Sequence, residues 1–144
     1  GAWRRPGPVV VGVDGSDGAR QAAEFAIDTA ALYETPLVVV HAWYPGAAWP
    51  PAHAQAGYPP PTTDLVAETL GHLPEKYPQV QVVPQVRQHV SPAEALITAS
   101  EQARLVVVGS RGLGGFRGLL LGSVSQALIH HSHAPVAVIG AGRS

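Results

Sequence analysis

The sequence predicts an α/β protein built on a parallel sheet. Three observations carry this. Val9-Val10-Val11, Leu37-Val38-Val39-Val40 and Leu105-Val106-Val107-Val108 are continuous apolar runs rather than alternating ones, the pattern of strands buried on both faces. Segments of helical spacing lie between them in order, so strands and helices alternate along the chain. The first and third runs also lead into a turn at Asp14-Gly15-Ser16 and a glycine loop after Val108, and parallel sheets place ligands beyond the carboxyl ends of their strands.

The first strand, Val9 to Val13, runs into Asp14-Gly15-Ser16. Ser16 or Asp17 suits an N-cap, and Ala19, Ala22, Ala23, Ala26 and Ala30 then recur at helical spacing, giving a small-residue face that can lie close on a sheet. The helix should end before Pro36, and Leu37 to Ala42 form the second strand, completing a right-handed βαβ unit. Residues 43 to 63 interleave six prolines with Trp43, Tyr44, Trp49 and Tyr58 and read as a long inserted loop, either a flap or a mobile insertion. Asp64 to Tyr77 can hold a short helix. Val80 to Gln88 reads as a strand that carries Pro84, which lacks an N–H for the ladder and belongs at a sheet edge. Ser91-Pro92-Ala93-Glu94 is a helix start, with serine as N-cap, proline in the first turn and glutamate placed for a capping box. That helix should run to about Gln102, followed by a strand at Leu105 to Val108, a helix at Ser123 to His131 and a last strand at Val136 to Ile139.

Bulk properties narrow the partner. The 144 residues, 46% of them hydrophobic, suit one domain over 1–144 with 43–63 as its insertion. A net charge of -1 gives no attraction to nucleic acid or an anionic membrane, which points to a neutral or small-molecule partner. The absence of cysteine excludes disulfides and thiolate metal sites. No apolar run approaches the roughly 20 residues of a membrane helix, and no signal peptide is apparent, so a cytoplasmic location is expected.

Glycines crowd the segment after Val108: Gly109, Gly112, Gly114, Gly115, Gly118 and Gly122. Bare backbone lets N–H groups converge and a ligand approach without meeting a Cβ, as phosphate sites require. The segment ends at Gly122-Ser123, where a helix start favours an anion. A P-loop is excluded, since the chain's only lysine is Lys76. A dinucleotide fingerprint fits poorly, because the glycines follow a late strand. A plain surface loop is the alternative. Arg111 and Arg117 either neutralise phosphate or solvate the turn. His130, His131 and His133 suggest a metal cluster, but their place at a helix end fits surface imidazoles beside the dipole, and no metal ligands are assigned.

Gly109-x2-Gly112-x9-Gly122-Ser123 resembles the nucleotide-binding signature of the universal stress protein family. Val10-Val-Gly-Val-Asp-Gly-Ser16, Val40-His41-Ala42 and Pro92-Ala93-Glu94-Ala95-Leu96 extend the resemblance over nearly the whole chain apart from the proline-rich loop. It implies an open, Rossmann-like five-stranded sheet in the order 3-2-1-4-5 with helices on both faces, often a dimer, binding ATP, often with Mg²⁺ or Mn²⁺. Carried over, Asp14 meets the ribose and the backbone at Val13 and Ala42 holds the adenine. Gly109, Ser110 and Gly112 follow the ribose and phosphates, and Gly122, Ser123 and Val124 take the terminal phosphates. Ser125 adds a hydroxyl or caps the surface, and Asp14 equally suits an Asx turn. A homodimer contact is expected at the apolar edge strand Val136 to Ile139. One departure stands out: Val90 occupies a place where the family often has glycine, putting a β-carbon near the phosphates. The implied activity is that of a nucleotide-dependent regulatory protein of the stress response. Slow ATP hydrolysis or autophosphorylation on Ser123 or Ser125, or an ATP-independent interaction module, are the alternatives.

Overall fold

Branched side chains lose rotamer freedom in helices and stack well on pleated backbone, so the valine runs settle as strands. The computed structural model describes residues 6–43, 63–88, 90–110 and 123–140. Along them lie β1 (Val9–Gly12), α1 (Asp17–Tyr33), β2 (Leu37–Trp43), α2 (Thr63–Leu70), α3 (Leu73–Lys76), β3 (Val82–Gln88), α4 (Pro92–Ser100), β4 (Leu105–Gly109), α5 (Ser123–His131) and β5 (Val136–Ile139). All pairs are parallel and the order is β3-β2-β1-β4-β5, as the resemblance implied.

Alternation along each strand divides the core in two. Val9, Val11, Leu37, Val39, Leu105 and Val107 face the alanine stripe of α1 together with Val66 and Leu70 of α2. Val10, Val40, Val106 and Val108 face Ala95 and Leu96 of α4 and Leu128 of α5. Both faces are covered, which is why the central strands read as unbroken apolar runs.

The predicted caps are in place. Ser16 Oγ accepts from the Ala19 N–H at 3.2 Å, and Ser91 Oγ accepts from the Glu94 N–H at 3.1 Å while donating to Glu94 Oε1 at 3.1 Å. The glutamate thus returns to the serine hydroxyl, a variation on the capping box. Pro84 pairs on one side only, with Val39, in the edge strand β3. The stretch Asp64 to Tyr77, which can hold a short helix, carries most of α2 and the whole of α3. Gly71 adopts φ +55°, and Pro74 is the second residue of α3, in a first turn where the N–H it lacks has no partner within the helix.

Candidate functional site

In this order β1 lies between β2 and β4, and the chain leaves β1 and β4 over opposite faces of the sheet, through α1 on one and toward α5 on the other. A crevice opens at such a reversal outside the carboxyl ends of the strands. Val13 and Asp14 follow β1, Ala42 lies near the end of β2, Gly109 closes β4 with Ser110 beyond it, and Ser123, Val124 and Ser125 form the first turn of α5.

The β1 exit is a tight turn. Asp14 Oδ1 accepts from the Ser16 N–H at 3.0 Å and from Ser16 Oγ at 2.6 Å, and that hydroxyl caps α1. An Asx turn therefore fixes the carboxylate at the start of α1. Gly15 sits at φ +87°, a conformation a residue with a Cβ adopts only at a cost, and Leu65 of α2 lies 3.4 Å from where that Cβ would be.

The β4 exit is held between two helix starts. A Cβ on Gly109 would stand 3.1 Å from both C and O of Gly18, in the first turn of α1. On the other side, the Ser125 hydroxyl faces the carbonyls of Gly109 at 3.3 Å and Ser110 at 3.2 Å, with 1% of the residue exposed. Ser125 thereby fastens α5 to the strand end with its hydroxyl proton. The Ser110 N–H is engaged by the Ile139 carbonyl at 2.8 Å. The amino ends of α1 and α5, each carrying partial positive charge, are thus both tied to one strand end.

His41 emerges here as a residue that sequence reading had placed only within a strand motif. The residue is 1% exposed, and its Nδ1 lies 2.9 Å from the Val13 carbonyl. A carbonyl only accepts, so Nδ1 carries the proton. Burial pushes the imidazole below its ordinary range, while the Val13 carbonyl and the Asp14 charge pull the other way. A histidine with a lowered folded pKa excludes a proton that the unfolded chain binds below about pH 6.5. Its contribution to stability is thus complete above that value and is lost as pH falls through the folded pKa. Urea midpoints between about pH 7 and pH 5 should fall more steeply for the native chain than for His41→Asn. Parallel slopes would contradict this.

Gly112, Gly122, Arg111, Arg117 and residues 44–62 lie outside the described residues. Val90 turns its side chain against the core cluster shared by α4 and α5. His133 Nε2 lies 3.9 Å from Glu101 Oε2 with both side chains more than half exposed, and the rings of His130 and His131 are 6.3 Å apart. Among the described residues, no group of three or more His, Asp or Glu side chains gathers where a metal would be held. No helix among them is long and apolar enough to cross a membrane.

Comparison with known proteins places this arrangement. The model of the universal stress protein family matches residues 7–140. The chain belongs to the universal stress protein family. It is 39% identical over 138 residues to the universal stress protein Rv2623 of Mycobacterium tuberculosis, covering 91% of this chain and 44% of that protein. It is 40% identical over 138 residues to Rv1996 of the same organism, covering 91% and 43%. The chain therefore spans less than half the length of these curated relatives. Among solved structures, a universal stress protein in complex with cAMP superposes with a TM-score of 0.69 at 27% identity, covering 94% of this chain and 98% of that one. The Archaeoglobus fulgidus protein in complex with dAMP gives a TM-score of 0.66 at 22% identity, covering 93% and 98%, a likeness of fold.

Proposed function

We propose that this universal stress protein binds an adenine nucleotide, ATP above all, across the carboxyl ends of β1, β2 and β4, and acts as a nucleotide-dependent regulatory dimer. The observation that carries the reading is the 27% identical family member solved with cAMP, whose fold matches over 94% of this chain. In this reading Val13 and Ala42 offer main-chain groups to the base and Asp14 its carboxylate to the ribose. Gly109, Ser110 and Gly112 line the path of the phosphates, and Gly122, Ser123 and Val124 present the start of α5 to their far end. Ser125 supports the site from beneath. An accompanying Mg²⁺ or Mn²⁺ would take most of its ligands from phosphate and water. Fast phosphoryl transfer is disfavoured, because the only lysine, Lys76, belongs to α3 and charge stabilisation at the phosphates would be weak. Calorimetry of the full chain with ATP and adenosine tests the reading: both should bind, ATP more tightly. A chain that binds neither would be an interaction module instead.

The dimer contact is assigned to β5, which lies at the sheet edge opposite β3. The carbonyls of Pro135 and Ile139 point inward, to Val106 and Ser110, so by strand alternation the Val138 N–H and C=O point outward. Val138 itself packs against the core, so a charge there would disturb folding as well as association. Val138→Pro removes the outward N–H and leaves the inward ladder in place. Sedimentation should show the dimer weakened at least about tenfold, the loss of more than one edge hydrogen bond in a symmetric pairing. An unchanged dimer would place the interface elsewhere.

A further inference from the structure

Parallel pairing of β1 with β2 ends at Gly12 with Val40. The Val13 N–H still donates to the Val40 carbonyl at 2.9 Å. Main-chain groups of successive strand residues point to opposite edges. The Leu37 N–H bonds to Gln81 on the β3 side, whereas the Val40 carbonyl serves the β1 side, so the main chain of Ala42 also faces β1. One more ladder step would take the Ala42 N–H onto the Val13 carbonyl. The pairing stops short of that step. The Val13 carbonyl is instead the partner of the His41 ring, at 2.9 Å.

From this geometry we infer that His41 is the positioning residue of the base subsite, its Nδ1–H holding the Val13 carbonyl so that the Ala42 main chain is presented to a purine edge. The inference rests on the nucleotide reading above. The same Val13 peptide group leads into Asp14, whose carboxylate is pinned to Ser16. One ring thereby sets both the main-chain edge offered to the base and the starting point of the ribose carboxylate. It makes no demand on the phosphates, which the α5 end of the site serves. His41 acts through Val13 and Ala42, so its removal should register on the adenosine part of a ligand and spare the phosphate part.

Calorimetry with ATP, adenosine and inorganic tripolyphosphate tests this on the full chain and on His41→Leu and His41→Asn. Leucine fills the buried space without a donor; asparagine restores an N–H near the position of Nδ1. His41→Leu should lose about tenfold in affinity for both ATP and adenosine while tripolyphosphate stays within about twofold, and His41→Asn should recover to within about threefold of the native chain. Ring ¹⁵N NMR of the native chain should show the Nδ1–H tautomer, a result that holds even if a variant fails to fold. Unchanged adenosine affinity in a folded His41→Leu, an equal loss on tripolyphosphate, no recovery with asparagine, or an Nε2–H ring would each overturn the inference. A native chain that binds no adenine compound would overturn the nucleotide reading itself, whereas native binding with an indifferent His41→Leu overturns only the role of His41.

Discussion

Gly109→Val is expected to destabilise the fold by about 2–3 kcal/mol, near the upper end of what overpacking costs. The added Cβ would stand 3.1 Å from both C and O of Gly18. Those are backbone atoms of the first turn of α1, so no rotamer change relieves the contact. Either α1 lifts from the sheet or the β4 exit shifts, and α1 can lift only by opening the core of Ala22, Ala23, Ala26 and Ile27. A shift at β4 would also disturb the Ser125 hydroxyl at the carbonyls of Gly109 and Ser110. Gly109→Ala should be milder with the same sign. Urea denaturation read by circular dichroism gives the difference directly, with little change in slope if unfolding stays two-state. A native midpoint in Gly109→Val would mean that the first turn of α1 yields freely.

That prediction also marks where sequence reading stopped. The strands, their order and the edge position of Pro84 were legible, because burial on both faces, proline chemistry and the resemblance all operate on local pattern. The caps at Ser16 and Ser91 were legible for the same reason. Gly109 was legible as a glycine that matters, but its approach to Gly18 joins residues 91 positions apart and leaves no local mark. Ser125 looked from its sequence position like a hydroxyl for ligand or surface; only the packing of α5 on β4 turns it inward. His41 sits in an apolar run where a lone histidine has no evident partner. Its role depends on β1 and β2 being neighbours in a register that brings its ring to Val13. The break between α2 and α3 rests on the left-handed Gly71 and on Pro74 in the first turn of α3, two residues on which sequence reading drew no boundary.

Gly122→Val should separate the two ends of the proposed site. Gly122 immediately precedes Ser123, the first residue of α5, whose leading N–H groups have no partner within the helix. Under the nucleotide reading these groups and the positive end of the α5 dipole receive the terminal phosphates, and a branched side chain on the preceding residue stands in their approach. Two charge-assisted hydrogen bonds at about 1.5 kcal/mol each amount to roughly 3 kcal/mol, a loss of more than a hundredfold in affinity for ATP. Adenosine carries no phosphate and in the same reading meets the protein through Val13, Asp14 and Ala42 at the other end, so its affinity should stay within about threefold, or about 0.7 kcal/mol. The split matters more than the size of either effect, because partial unfolding would weaken both ligands together. Calorimetry with ATP, AMP and adenosine on a variant with native circular dichroism reads it, and AMP should fall between the other two. Native ATP affinity in that variant would remove the phosphates from the start of α5, and the glycines between Val108 and Ser123 would then be there for the backbone alone.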